Sequence, residues 1–156
     1  MSKAPAWVKR VKAKTKPFEP DLYYFDWEEA ESRVNFIESF CRYPEGPKAG
    51  ELMKLEQWQK EDIIYPAFGW KRKGSKLRRY RTVFVFIPRK NAKTTLIAAV
   101  ALSILFQDKE FGAQMFCLGS VKDQSDIIHR VMVSMVKNDP DMGAQLRVRK
   151  DVFNDP

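Results

Sequence analysis

Cysteine and histidine are nearly absent: the 156-residue chain has two of the first and one of the second. Cys41 and Cys117 lie too far apart for a disulfide framework, and Cys117 sits in an apolar run. Both are expected to be reduced core thiols of an intracellular protein. A single histidine, His129, with no zinc-ligand spacing around it, excludes a structural zinc site. The basic N-terminus is followed by no apolar segment of the signal-peptide kind, and no apolar run is long enough to span a bilayer. Neither a secretory signal nor a membrane anchor is expected. Internal repeats and low-complexity segments are missing too. Glycine is lacking where it matters most, in the polar turn that follows the apolar run at 82–87. What is present is the composition of a folded protein, 44% hydrophobic and 13% aromatic, on a length that suits one domain with a real core.

The net charge of +8 is unevenly placed. Residues 1–16 carry six Lys or Arg and no acid, whereas residues 19–62 carry twelve acids against five bases. The stretch "WKRKGSKLRRYR" (70–81) then gathers seven basic residues and no acid. Such segregation points to a polyanion, either nucleic acid or an acidic protein surface. For residues 1–20, with three of the nine prolines, a basic flexible arm is expected, solubilising or in contact with nucleic acid. Residues 70–81 lead into a strand and a polar turn, and Lys71, Arg72, Lys73 and Lys76 are the candidate contacts to DNA or a partner.

Residues 26–43 show apolar positions at 30, 34, 37 and 40 behind an acidic first turn, the pattern of an amphipathic helix. Residues 44–51 are a Pro/Gly loop, and 54–68 form a second helix, closed or kinked at Pro66. Gly69 and Gly74 bracket a hairpin-like turn in the basic block. "TVFVFI" (82–87) has the composition of a strand buried on both faces of a parallel sheet. Residues 93–107 are apolar nearly all round and are expected to be a buried helix. A second strand is expected within 112–120 and a helix over 122–138. Strand, helix, strand, helix at this spacing predicts an α/β fold with a right-handed βαβ unit in an open parallel sheet flanked by helices.

The turn after 82–87 carries chemistry. A triphosphate needs converging backbone N–H groups, a lysine at the β and γ phosphates and a hydroxyl on Mg²⁺. The backbone of residues 89–94, Lys93 and Thr94 supply all three types of group. The pattern G-x-x-x-x-G-K-[ST], however, has Ile87 and Ala92 in place of its glycines. An alanine held at positive φ costs roughly 1–2 kcal/mol. The residues alone leave open a nucleotide loop or a strand-turn-helix with a solvated lysine.

"PRKNAKTT" (88–95) resembles the P-R-K-N-G-K-[ST] loop of one group of tailed-phage terminase large subunits, the ATPases of DNA-packaging motors. Three further segments resemble the same group in the same order. They are "NFIESFCRYPEGPKAGE", "LEQWQKEDIIYPAFGW", and "GSKLRRYRTVFVFIPRKN" running into the loop. Downstream, "MFCLGSVKDQSDIIHR" is similar to the next strand and its Ser-x-x-x-Gln turn. The resemblance implies a P-loop NTPase-like fold, ATP and Mg²⁺ as cofactors, and a shortened loop without the first glycine; Ala92 departs from the family glycine.

By this resemblance Lys90, Asn91, Ala92, Lys93, Thr94 and Thr95 form the phosphate loop, with Lys93 on the β and γ phosphates and Thr94 on magnesium. Arg89 matches a cis arginine finger, with a local ion pair as its alternative. Gln59 matches the adenine-reading glutamine, with Trp58 or Phe68 against the base and Gln57 as its rival. Ser120 and Gln124 stand at the end of the second strand, where helix capping competes with a ligand role. Asp108 and Glu110 end the loop helix about 20 Å from its start, too far to serve as Walker B acids. The resemblance places that strand, and a nuclease domain, beyond residue 156, so that 21–156 match the N-terminal part of the ATPase domain. For the intact protein it implies double-stranded DNA, a small terminase subunit and a portal protein as partners, a homo-oligomeric ring, and the cytoplasm of a bacterial host. Another P-loop or helicase-like ATPase, or a non-enzymatic DNA- or partner-binding module with a vestigial loop, remain open alternatives.

Overall fold

The computed structural model describes residues 4–75, 77–108, 110, 112–119 and 122–146. The chain forms two compact units, residues 1–38 with 54–91 and residues 39–53 with 92–156.

The first unit begins with a helix, α1 (Ala6–Lys14). The basic arm expected over residues 1–20 is therefore not free chain throughout. The reason lies in Trp7, Val8 and Val11, which recur on one helical face among the lysines; Val8 and Val11 are buried. Trp7 stacks on Tyr65 with ring centroids 3.7 Å apart. On the polar side Arg10 pairs with Glu61 at 2.5 Å and Lys14 with Asp62 at 2.9 Å. A 3₁₀ turn leads to β1 (Tyr23–Phe25), which pairs antiparallel with β2 (Trp70–Arg72) in the register Tyr23↔Arg72, Tyr24↔Lys71 and Phe25↔Trp70. Gly69 precedes β2 because Phe25 lies against it: a Cβ there would come within 2.5 Å of the phenyl ring.

α2 (Trp27–Phe40) starts where the Asp26 carboxylate accepts the Glu29 N–H at 3.0 Å. Ala30, Val34 and Ile37 form its buried stripe. The second predicted helix contains a π-helical turn, Gln59–Ile64, followed by α3 (Tyr65–Gly69). Pro66 accounts for the widening: it offers no N–H, and its ring would collide with the carbonyl four residues back in a regular α-helix. The hairpin closes through Gly74 at φ 79°. Arg72 N–H donates to Leu77 O at 2.9 Å and Arg79 N–H to Trp70 O at 2.8 Å.

In the second unit, α4 (Lys93–Gln107) and α5 (Lys122–Asn138) pack together, and α6 (Pro140–Gln145) packs on α5. The first two match the predicted helices. α6 was not foreseen; Asp139 caps it by accepting the N–H groups of Asp141 and Met142. α4 buries Leu96, Ala98, Ala99, Leu102 and Ser103 but leaves Ile97 exposed, so it is one-sided rather than buried all round. Cys41 is buried as expected, and burial, aided by the charge of Asp139, pushes its thiol up to about 12. Cys117 is only half-buried.

The open parallel sheet is not found among the described residues. Among the described residues the sheet has two strands, β1 and β2, and neither 82–87 nor 113–119 takes part in a ladder. Most of their side chains stand in solvent, with Val85, Ile87 and Cys117 half-buried: Phe84 is 87% exposed, Phe86 89% and Leu118 90%. β-branched and aromatic residues favour extended backbone locally, but a ladder also needs a neighbouring strand, which composition cannot provide. The edge of β2 away from β1 is already taken by residues 77–79. The right-handed βαβ unit is likewise not formed among the described residues.

This burial pattern predicts opposite outcomes for equally apolar residues. Phe84→Ser with Phe86→Ser should change unfolding free energy by no more than about 0.5 kcal/mol per site. Ile37→Ala, at a fully buried position, should cost about 2–5 kcal/mol. Urea denaturation of the purified chain measures both, and a loss of stability in the double phenylalanine variant comparable to that of Ile37→Ala would contradict the exposure.

Candidate nucleotide and DNA sites

The turn from Pro88 to Thr95 enters α4 through two left-handed residues, Lys90 at φ 69° and Ala92 at φ 52°. Neither is glycine, so each carries the steric penalty of a Cβ in that region. The Asn91 side chain stitches the turn from within: its Nδ2 donates to Pro88 O at 3.2 Å and to Arg89 O at 3.4 Å. No side chain caps α4 among the described residues, and the first helical bond runs from Leu96 N–H to Ala92 O at 2.9 Å. The N–H groups of Lys93, Thr94 and Thr95 thus start a helix without an intrahelical acceptor. Together with the positive end of the helix dipole, this is the local arrangement that favours an anion. Arg89, Lys90 and Lys93 are exposed, and Thr94 and Thr95 half-buried. No carboxylate pairs with Arg89 or Lys93 among the described residues.

The glutamine segment is differently disposed. Gln59 is buried, and its Oε1 accepts the Glu56 N–H at 2.9 Å, so the side chain caps its own helix start. Gln57 is exposed; its Nε2 donates to Glu61 at 3.0 Å, and it lines a cavity of about 240 Å³ with Trp7, Arg10, Leu55, Lys60 and Tyr65. Trp58 is half-buried. Phe68 is buried with the guanidinium groups of Arg33 and Arg78 over its ring, at 4.9 and 5.2 Å. Trp7 and Tyr65 were missed as part of this region. The signal was a tryptophan followed by apolar residues one and four places on, inside a segment whose lysines dominate the eye.

Of the basic candidates, Lys71 is committed elsewhere. Its side chain is only 13% exposed, and its Nζ pairs with Asp26 at 3.0 Å and Glu29 at 3.7 Å. Arg72 and Lys73 are exposed. Lys76 and Ser120 lie outside the described residues, as does the side chain of Gln124. Asp108 is the C-terminal cap of α4 and Glu110 follows it, so both stand beyond the end of the helix that leaves the turn. No helix among the described residues is long and apolar enough to cross a membrane.

A strained turn opening directly onto an uncapped, exposed helix start is a local arrangement suited to an anion. The model of the terminase large subunit ATPase domain matches residues 57–152, well over half of the chain, and the chain belongs to that family. A curated relative, the large terminase subunit of Enterobacteria phage HK97, is 31% identical over 112 residues, covering 69% of this chain and 20% of the relative. The crystal structure of the HK97 bacteriophage large terminase superposes with a TM-score of 0.64 at 26% identity, covering 78% of this chain and 23% of that one. The chain spans about a fifth of the length of the relative it matches.

Glu61 couples α1 to the glutamine segment, and its charge state makes that coupling pH-dependent. The bond from Arg10 and then that from Gln57 hold its carboxyl below the usual carboxylate range, against the effect of burial. Glu38 is also lowered: burial alone would raise it, but bonds from Lys60 and the Leu55 N–H, with the charges of Lys60 and Lys54, outweigh burial. A folded-state pKa below the unfolded value of about 4.3 gives stability that is present above that value and lost as pH falls through the folded pKa. Arg10→Ala should therefore raise the pH at which α1 undocks in acid. Amide exchange of residues 6–14 against pH measures this, and an unchanged midpoint would show that the pair does not hold the helix.

Proposed function

We propose that this chain is the ATP-binding part of a viral DNA-packaging motor, with the turn 88–95 as its phosphate-binding loop. The observation that carries the reading is the left-handed Ala92 placed immediately before the uncapped start of α4. The fit to a triphosphate is favourable: free helical N–H groups, the exposed Lys93 ammonium and the Thr94 hydroxyl offer the donor types that phosphates and Mg²⁺ require. Bound Mg·ATP supplies the phosphoryl group whose transfer drives such a motor. Lys93 would hold the β and γ phosphates, Thr94 the magnesium ion, and Arg89 the charge that develops on the transferring group. Lys90, Asn91, Ala92 and Thr95 contribute the shape and backbone of the loop.

For adenine, Gln57 and Gln59 are both retained as contacts, with different standing. Gln59 Oε1 already accepts a backbone N–H, which leaves its amide nitrogen as the donor for a base. Gln57 lines the cavity together with Trp7 and Tyr65. Hydrolysis needs carboxylates for the metal and for water; Asp108 and Glu110 follow the far end of a 15-residue helix, about 20 Å from its start. In the intact protein the ATPase would work in the host cytoplasm as a ring with a small terminase subunit and a portal protein, moving double-stranded DNA. On this chain Arg72 and Lys73 are the exposed hairpin cations for a phosphate backbone, while Lys71 anchors β2 to Asp26.

Two measurements test the reading. Titration with a fluorescent ATP analogue and Mg²⁺ should show weak binding, little or no steady-state hydrolysis, and loss of binding in Lys93→Ala. Ala92→Gly should tighten binding about fivefold, equivalent to roughly 1 kcal/mol, by removing the Cβ from a left-handed position. Hydrolysis that survives Lys93→Ala, or an Ala92→Gly variant that binds no better, would contradict the assignment of the loop. For DNA, duplex binding should be weak, indifferent to sequence and steeply salt-dependent. Arg72→Ala with Lys73→Ala should flatten the plot of log K against log salt by roughly one unit for each phosphate that is no longer neutralised. An unchanged slope would remove the hairpin from the DNA interface.

A further inference from the structure

We propose that the groove between α1 and the β1–β2 ribbon is a binding site for an unpaired stretch of DNA strand, with phosphates held by lysines and a base stacked on Tyr23. The open groove has a volume of about 520 Å³, and its lining includes Lys12, Lys16, Tyr23, Tyr24, Phe25 and Trp70. All of these residues belong to the first unit.

The register of the ribbon explains the floor. Side chains alternate across a strand, so Tyr23 and Phe25 share a face with their partners Arg72 and Trp70. Trp70 is buried, its indole N–H donates to Thr15 Oγ1 at 2.8 Å, and Phe25 meets it edge-on at 5.2 Å. These two rings are fixed and form the back of the groove. Tyr23 is half-buried and carries the Arg79 guanidinium 5.5 Å from its ring centre. The guanidinium lies over one side of the ring, so a base would stack on the other, with the cation near its phosphate.

The rim lysines differ from the cations that serve the fold of this unit. Arg10, Lys14 and Lys71 are each paired with a carboxylate. Lys12 and Lys16 are exposed and have no such partner among the described residues. Two lysines without a carboxylate partner, Lys12 and Lys16, therefore line an aromatic groove, with Arg79 at the Tyr23 ring and Arg72 paired opposite Tyr23 in the ribbon. In a duplex the base faces are stacked on one another and unavailable, so the Tyr23 ring can act as a stacking platform only for an unpaired strand. An acidic peptide would satisfy the lysines but brings no planar face for Tyr23.

The inference rests on the reading of DNA as this chain's polymer partner, and the experiment separates the two. Fluorescence anisotropy of the full chain is measured with labelled oligo-dT on the order of ten nucleotides long, with a duplex of equal length, and with poly-glutamate as competitor. Single-stranded DNA should bind more tightly than duplex. Lys12→Ala with Lys16→Ala should weaken it and flatten its salt slope. Tyr23→Leu, which keeps the apolar bulk but removes the ring, should weaken single-strand binding about fivefold or more and leave duplex binding unchanged. Tyr23→Phe should retain binding, which distinguishes a missing stacking surface from a damaged ribbon. Duplex bound as tightly as single strand, equal effects of Tyr23→Leu on both, or displacement by poly-glutamate as effective as by oligo-dT would overturn the groove while leaving a DNA role intact. Binding of neither form of DNA would overturn both.

Discussion

Four aromatic rings hold the first unit together. Trp7 from α1 stacks on Tyr65 of α3 and meets Phe25 of β1 edge-on at 6.3 Å, and Phe25 in turn meets Trp70 of β2 at 5.2 Å. Rings of this size bury large apolar areas and prefer a few mutual geometries, so the cluster fixes four elements at once. The candidate sites of this unit are built on it. The helix α1 would otherwise be a lysine-rich segment of only nine residues, too short to be stable by itself. The glutamine cavity is walled by Trp7 and Tyr65, and the basic groove by Phe25 and Trp70. The absence of a side chain at Gly69 is part of the same arrangement, because Phe25 occupies that space.

The proposed phosphate loop is under a different constraint. An uncapped helix start is a deficit in a protein of no function, since three N–H groups lack partners, and it is an asset where an anion is to be bound. The loop adds two non-glycine residues in the left-handed region, Lys90 and Ala92. Strain of this kind is maintained where surrounding structure enforces it, and it concentrates at sites of function. In this chain a short turn and the internal bonds of Asn91 do the enforcing. The arrangement accounts for a family member that uses alanine where glycine would be free of strain.

The charges of the chain divide by what they touch. Arg10, Arg33, Lys60 and Lys71 bind carboxylates of their own unit and serve the fold. Arg89 and Lys93 at the loop, and Arg72, Lys73, Lys12 and Lys16 around the ribbon, are exposed to solvent. Formal net charge alone could not make this division. A block of seven basic residues contains both an anchor and candidate contacts, and the burial of Lys71 beside Asp26 separates them.

Local sequence made α2, α4, α5 and the polar turn before α4 legible, whereas α1 and α6 were not. The stripe of Ala30, Val34 and Ile37, the apolar run 94–106 and the polar turn with Lys93 and Thr94 act through neighbours three or four residues apart, which a linear pattern displays directly. The family, too, was legible in short ordered motifs. Tertiary structure alone decided which glutamine is buried, which lysine is paired, that Trp7 belongs to the core of its unit, and that residues 82–87 and 113–119 stand outside any ladder. Each of these depends on a partner tens of residues away. Extended backbone is a local preference, but a ladder, a buried ion pair or a ring stack exists only when a distant segment supplies the other half.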